Sequence, residues 1–116
     1  MLSGWGRTAY EGPDDLILPA ILQKVSLRTM SNEECQNIER KKTQDVKVIK
    51  DYQICTFEPP KASCHGDSGG PLVVRNQYGK YSLLGLVSFG SHCGWSPTVY
   101  TRVSYFSEWI EKNKAP

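Results

Sequence analysis

The chain has 116 residues, of which 39% are hydrophobic and 22% are charged, and its formal net charge is +2. These values are typical of one small folded domain, and so balanced a charge gives no global attraction to nucleic acid or to an acidic membrane. The longest nearly apolar run, Tyr81 to Phe89, is far shorter than the roughly 20 residues a membrane helix needs, so we expect no membrane span.

Turn residues and one alternating strand dominate the first half of the chain. Residues 1–19 are rich in Gly, Pro and Asp, which predicts a strand end followed by a long loop. Residues 23–30 alternate apolar and polar side chains, which predicts a half-buried strand. Residues 31–34, Ser-Asn-Glu-Glu, form a capping box, so a helix should begin there and carry Cys35. The charged residues 39–51 predict a solvated loop, with an exosite for a partner as the alternative.

Short strands and a terminal helix are predicted for the second half. Residues 53–57 are typical of a short strand that two prolines end. The apolar runs 71–75 and 81–89 flank Asn-Gln-Tyr-Gly, which indicates a hairpin. Residues 98–103 predict another strand, and the helical spacing of apolar residues after position 104 predicts a terminal helix. Several antiparallel strands closed by a helix favour an all-β fold, a small β-barrel.

Four cysteines, at positions 35, 55, 64 and 93, narrow the class of protein. The chain has no C-x-x-C pair, and a metal site built from Cys64-His65 and His92-Cys93 is disfavoured because adjacent side chains rarely reach one ion. Disulfides are expected, in one of three possible pairings, and they indicate an oxidising compartment. No signal-peptide pattern follows Met1, so we expect Met1 not to be the natural N-terminus.

Residues 64–71, Cys-His-Gly-Asp-Ser-Gly-Gly-Pro, carry the chemistry. A serine hydroxyl between glycines can stand free, and the glycines let successive N–H groups converge as a developing oxyanion requires. A tight glycine-rich turn with an incidental serine is the alternative. The nucleophile elbow of α/β-hydrolases does not fit, because the β-forming run 71–74 follows the serine where that motif needs a helix.

Four further motifs surround this loop: Ser3-Gly4-Trp5-Gly6, Leu86-Val87-Ser88-Phe89-Gly90, Pro97-Thr98-Val99-Tyr100-Thr101-Arg102-Val103 and the terminal Trp109-Ile110. Together, in this order, the five motifs resemble those of the chymotrypsin family, the trypsin-like serine proteases. The resemblance covers essentially the whole chain, but only the second of the family's two barrels. It implies an antiparallel six-stranded chymotrypsin-like β-barrel with a C-terminal α-helix over residues 1–116.

The resemblance implies a serine endopeptidase in which Ser68 is the nucleophile. The backbone N–H groups of Gly66 and Ser68 would form the oxyanion hole. In the family, the first barrel supplies the catalytic histidine and aspartate, and neither His65 nor His92 lies in the histidine motif of that barrel. We therefore expect the isolated chain to be inactive for lack of the general base.

Asp67 and the cysteines also acquire roles from the resemblance. In the family, the aspartate at the position of Asp67 pairs with an N-terminal ammonium released by zymogen cleavage. The chain contains no such terminus, so we expect a zymogen-like, poorly formed oxyanion hole. The resemblance further implies the disulfides Cys35–Cys55 and Cys64–Cys93, each worth on the order of 3 kcal/mol.

A substrate-binding pocket is also implied, with walls formed by Ala62, Ser63, His65, Ser88, Phe89, Gly90 and Thr98. Ala62 stands at the base, where trypsin-like enzymes carry aspartate, and a neutral base cannot balance a buried guanidinium or ammonium. Gly90 leaves the entrance open, while Thr98 replaces the usual glycine and should make the pocket shallower. We therefore expect cleavage after a medium apolar or aromatic residue, with His65 on the pocket rim.

Two functions are compatible with these residues: part of a secreted serine endopeptidase, and a non-catalytic protease-like binding module. The intact serine loop and pocket favour the first, because a module without a base has no need of them. The expected partners are a protein or peptide substrate and the missing N-terminal barrel; no nucleic acid, membrane, metal or cofactor is expected. The expected location is extracellular. The following aromatic residues are expected in the core: Trp5, Tyr100, Phe106 and Trp109.

Overall fold

The computed structural model describes residues 1–6, 19–43, 48–59, 61–64, 66–90 and 96–115. Within these ranges, seven strands form one antiparallel sheet in the order β2-β1-β5-β6-β7-β4-β3. The strands are β1 (Leu2–Gly4), β2 (Gln23–Val25), β3 (Thr29–Met30), β4 (Gln53–Thr56), β5 (Pro71–Arg75), β6 (Tyr81–Phe89) and β7 (Thr98–Arg102). The helices are α1 (Asn32–Thr43), a 3₁₀ turn (Val103–Phe106) and α2 (Ser107–Asn113).

The two edges of the sheet are formed by neighbouring stretches of chain. β2 pairs with β1 at one edge, and β3 pairs with β4 at the other. Only residues 26–28 separate β2 from β3, so the sheet must curl to bring its edges together, as a barrel does. The strand predicted over residues 23–30 is therefore bent, and the described strands number seven where six were predicted. The all-β fold with a C-terminal helix is confirmed.

The inner face of the sheet holds the main core, in which Leu2, Ile54, Leu72, Val87 and Tyr100 pack together. These side chains come from β1, β4, β5, β6 and β7, so five strands contribute one residue each. Leu2 pairs directly with Leu72, and Tyr100 pairs with both Ile54 and Val87, so these side chains lie on one face of the sheet. This core fixes the strands that carry the site described below.

A second cluster joins helix α1 to the sheet and consists of Cys35, Ile49, Cys55 and Val99. The disulfide Cys35–Cys55 lies within it, across 20 positions of sequence, and confirms the predicted bridge. Both cysteines are fully buried. The bridge therefore ties the start of α1 to the middle of β4.

Helix α1 begins at the predicted position and ends later than predicted. The Ser31 hydroxyl accepts the N–H of Glu34 at 3.1 Å, as a capping residue should. The helix continues to Thr43, so the prediction of a solvated loop is wrong for residues 39–43. The local sequence favours a helix, because Gln, Glu, Arg and Lys are good helix formers. In addition, Glu39 is buried rather than solvated, with only 3% of its surface exposed.

The β5–β6 hairpin has the predicted bounds. Its turn is fixed by Asn76, whose side-chain oxygen accepts the N–H groups of Tyr78 at 2.9 Å and Lys80 at 3.0 Å. Gly79 has φ +79°, a conformation that glycine adopts without steric cost. The hairpin places β6, the longest strand, in the centre of the sheet.

Three of the four aromatic residues expected in the core are exposed. Tyr100 is fully buried as predicted, but Trp5 is 55% exposed, Trp109 is 65% exposed and Phe106 is 36% exposed. The prediction is wrong for these three: Phe106 and Trp109 line an apolar groove left open between α2 and the outer face of β6, and Trp5 lies in a bend after β1, outside the sheet. Neither helix in the described ranges is long and apolar enough to cross a membrane.

Candidate active site

The loop that carries Ser68 is held against β6 by backbone hydrogen bonds. The N–H of Gly69 donates to the carbonyl of Val87 at 2.8 Å, and the N–H of Val87 donates to the carbonyl of Gly70 at 2.9 Å. Gly66 and Gly69 have φ of 101° and 81°, in the region that favours glycine. Ser68 lies exposed between them. The loop is thus fixed while its serine faces solvent.

Asp67 connects the N-terminal segment to the base of this loop. Its carboxylate accepts the N–H of Gly6 at Oδ1 and the N–H of Cys64 at Oδ2, each at 2.8 Å. Its backbone carbonyl accepts the N–H of Gly70 at 2.9 Å. The side chain is partly buried, so these two backbone amides supply much of the stabilisation that its charge requires.

Two glycines near the N-terminus make room for this carboxylate. A Cβ placed on Gly4 would lie 2.0 Å from Oδ1 of Asp67, and one placed on Gly6 would lie 2.5 Å from its Oδ2. A side chain at either position would therefore displace the Asp67 carboxylate. The Gly-Trp-Gly motif is visible in the sequence, but this role is not, because it depends on contacts between residues about 60 positions apart.

A cavity of about 200 Å³ lies beside Asp67. Its walls include Leu2 from β1, Val25 from β2, and the neighbouring residues Lys61 and Ala62. It therefore combines apolar side chains, the Asp67 carboxylate and the cationic Lys24 and Lys61. The ammonium of Met1 is held elsewhere, because it donates to the carbonyl of Val73 at 2.6 Å.

Several predicted pocket residues come together between the end of β6 and the start of β7. Ser63 and Thr98 are both buried, and the Ser63 hydroxyl donates to Oγ1 of Thr98 at 3.3 Å. A Cβ on Gly90 would lie 3.2 Å from the carbonyl of Pro97, so these backbones approach closely. Phe89 is partly buried and pairs with Val99 across the two strands.

The other predicted pocket residues differ in their placement. Ala62 is partly buried and precedes Ser63 directly, on the wall of the cavity beside Asp67. Ser88 is exposed on β6. His65 lies outside the described residues.

A set of buried hydroxyls lies beneath Ser63 and Thr98. The hydroxyls of Tyr100 and Thr56 are 2.7 Å apart and hydrogen-bonded, and Tyr100 also bonds Thr98. Burial raises the pKa of the Tyr100 phenol, so it stays protonated at neutral pH. The four hydroxyls thus have partners within the protein. Sequence reasoning placed Tyr100 in the core but did not identify these partners.

The other two cysteines are Cys64, which lies next to the Ser68 loop, and Cys93. Cys64 is disulfide-bonded, and Cys93, the partner that the family resemblance implies, lies outside the described residues. Among the residues that the structure describes, no three His, Cys, Asp or Glu side chains come together as metal ligands would.

Comparison with known proteins shows the family to which this arrangement belongs. The family model described as Trypsin matches residues 1–110. Proclotting enzyme of Tachypleus tridentatus is 36% identical over 97% of the chain, which spans 29% of that protein. Chymotrypsin-2 of Vespa crabro is 38% identical over 98% of the chain, which spans 46% of that protein.

A third relative, atrial natriuretic peptide-converting enzyme of Homo sapiens, is 39% identical over 96% of the chain, which spans 10% of that protein. The chain thus spans less than half the length of each of these relatives. The match to the family model covers nearly the whole chain, including the Ser68 loop, and the fold agrees with it. The chain belongs to the trypsin family of serine proteases.

Proposed function

We propose that this chain is the nucleophile-bearing part of a secreted serine endopeptidase. The observation that carries the proposal is the Ser68 loop, exposed at its serine and fixed to β6 by hydrogen bonds, in a chain of the trypsin family. Ser68 Oγ would attack the scissile carbonyl while a histidine takes its proton. The N–H groups of Gly66 and Ser68 would stabilise the oxyanion.

Two further steps complete the reaction. The oxyanion collapses, the peptide C–N bond breaks, and the histidine gives its proton to the leaving amine. Water then attacks the acyl group on Ser68, with the histidine again taking and returning the proton, so the acid product leaves and the serine is restored. The histidine and its orienting aspartate come from the first barrel of the family fold, so the chain alone is expected to be inactive.

An apolar groove supports docking of that first barrel. The groove lies between the outer face of the sheet and α2, and its walls include Leu86, Val103, Phe106, Trp109 and Ile110. So many apolar side chains around one open groove are costly in water and typical of a covered surface. We assign its occupant as the part of the protease that the relatives carry beyond the matched region.

The cavity beside Asp67 supports activation by a new N-terminus. Of the residues that line it, Asp67 offers a carboxylate to an ammonium, and Leu2, Val25 and Ala62 offer apolar contacts to the first side chain. In the present arrangement the carboxylate accepts two backbone N–H groups. We infer a zymogen-like state in which the oxyanion hole forms once the ammonium enters.

The neutral pocket base supports cleavage after an apolar or aromatic residue. Ala62 carries no charge that could balance a substrate guanidinium or ammonium. Thr98 is buried and hydrogen-bonded to Ser63. Its side chain takes up space where the family usually has glycine. The buried disulfide Cys35–Cys55 supports an extracellular location.

The proposal is tested by restoring the missing part. Residues 1–116 are joined to the N-terminal half of Vespa crabro chymotrypsin-2, and the joined protein is activated. We call this protein the assembled protease. It should hydrolyse peptide anilides with Phe or Leu before the scissile bond, whereas its Ser68→Ala variant and the chain alone should not. Equal hydrolysis by the Ser68→Ala variant would overturn the proposal.

A further inference from the structure

We propose that Glu58 and Lys61 are positioning residues that fix the segment Ala62–Ser63, and with it the base of the substrate pocket. The proposal rests on the proposed function, because it concerns the pocket of that same site. It adds two charged residues that the family resemblance did not bring into the site.

Glu58 and Lys61 close a turn immediately before Ala62. The N–H of Lys61 donates to the carbonyl of Glu58 at 2.8 Å, and its ammonium lies 3.3 Å from Oε2 of the Glu58 carboxylate. Two kinds of contact therefore join the same pair of residues, one through the backbone and one through charge. Glu58 and Lys61 are thus fixed relative to each other at the point where the pocket segment begins.

The same pair attaches this turn to the bend between β2 and β3. Oε1 of Glu58 accepts the N–H of Arg28 at 2.7 Å, and the Lys61 ammonium donates to the carbonyl of Ser26 at 3.2 Å. The N–H of Arg28 is the main reason that the pKa of Glu58 lies below its usual value. Both carboxylate oxygens are thus engaged, and the bend and the turn are held together across 30 or more positions of sequence.

The far end of the pocket segment is held separately. Ser63 is buried and its hydroxyl donates to Thr98 at 3.3 Å, which attaches it to the start of β7. Ala62 therefore lies between two anchors, one ionic and partly exposed and one buried. Loss of the ionic anchor should let Ala62 move while Ser63 stays in place.

Lys61 and Ala62 also line the cavity beside Asp67. Under the proposed function Ala62 is also the base of the substrate pocket, so its displacement would change the contact with substrate without removing any group that touches the reacting atoms. The expected consequence is altered substrate discrimination and a higher KM, with kcat less affected.

The test compares matched ion pairs in the assembled protease. Glu58→Gln and Lys61→Met each remove one charge of the Glu58–Lys61 pair. Glu108→Gln is the control. It removes one charge from the Glu108–Lys112 pair on α2, where the two charged groups are 3.1 Å apart and largely exposed. The kcat and KM are measured for substrates with Phe and with Ala before the scissile bond. In the chain itself, the Ala62 methyl signal is followed by NMR.

Glu58→Gln and Lys61→Met should each raise KM for the Phe substrate about three- to tenfold and change the Phe-to-Ala ratio of kcat/KM. Each should also shift the Ala62 methyl signal, Lys61→Arg should restore both properties, and Glu108→Gln should alter neither. An unchanged Phe-to-Ala ratio in an active enzyme overturns the inference. If the wild-type assembled protease is inactive, the proposed function fails, and the Ala62 methyl signal alone tests the positioning role. A shift of that signal in Glu58→Gln and Lys61→Met but not in Glu108→Gln supports the role. An unshifted signal in Glu58→Gln and Lys61→Met overturns it.

Discussion

Replacing Gly4 by alanine should destabilise the protein by several kcal/mol, because the new methyl group would occupy the site of the Asp67 carboxylate. The Cβ would lie 2.0 Å from Oδ1 and 3.0 Å from Cγ of Asp67, so the carboxylate must move. It would then lose the N–H groups of Gly6 and Cys64. Hydrogen bonds to a charged group contribute about 1.5–3 kcal/mol each, so Gly4→Ala should cost about 3–6 kcal/mol.

Urea unfolding, followed by tryptophan fluorescence and circular dichroism, measures this cost. Domains of this size have unfolding free energies of about 5–15 kcal/mol, so the midpoint should fall markedly or the protein should fail to fold. Gly69→Ala is the control: Gly69 has φ +81°, and nothing lies within 4 Å of its added Cβ. That variant should lose only about 1–2 kcal/mol from backbone strain.

A double-mutant cycle separates the carboxylate from other effects of the methyl group. In an Asp67→Ala background no carboxylate is displaced, so Gly4→Ala should cost less than about 1 kcal/mol there. The same cost in both backgrounds would refute the argument, because the strain would then lie elsewhere. A cost below about 1 kcal/mol in the wild-type background would refute it equally.

Three further predictions concern the buried hydroxyls. Tyr100→Phe should lower the unfolding free energy by about 1–2 kcal/mol, since Thr56 loses a partner at 2.7 Å, and urea unfolding of this variant measures the loss. Burial raises the pKa of Tyr100 above its ordinary value of 10, so its contribution to stability should be complete below pH 10. That contribution should be lost as the pH rises through the folded-state pKa. The difference in phenolate absorbance between the wild type and Tyr100→Phe measures this titration. In the assembled protease, Thr98→Gly should deepen the pocket and raise the Phe-to-Ala ratio of kcat/KM about tenfold; an unchanged ratio would place Thr98 outside the pocket.

Local patterns predicted the elements whose contacts are themselves local. The β5–β6 hairpin has the predicted bounds because its two apolar runs and the Asn76 turn lie within 20 residues of one another. The helix start at Ser31 was likewise predictable from four consecutive residues. The disulfide Cys35–Cys55 required the family resemblance, because four cysteines alone permit three pairings.

Long-range contacts explain what the sequence did not reveal. The bend at residues 26–28 forms because β2 and β3 pair with opposite edges of the sheet, which no local pattern encodes. The need for glycine at positions 4 and 6 arises from Asp67, about 60 positions away. Trp109 is apolar, yet it is exposed, and helical spacing alone cannot distinguish a face packed in the core from one left open.

The most direct test of the catalytic role of this chain is covalent labelling of Ser68. The assembled protease is treated with a fluorophosphonate, which reacts with an activated serine, and the modified peptide is identified by mass spectrometry. The label should attach to Ser68, at a rate that falls when a peptide substrate competes, and should be absent from the Ser68→Ala variant. Labelling of another residue, or equal labelling of the Ser68→Ala variant, would contradict the assignment of Ser68 as the nucleophile.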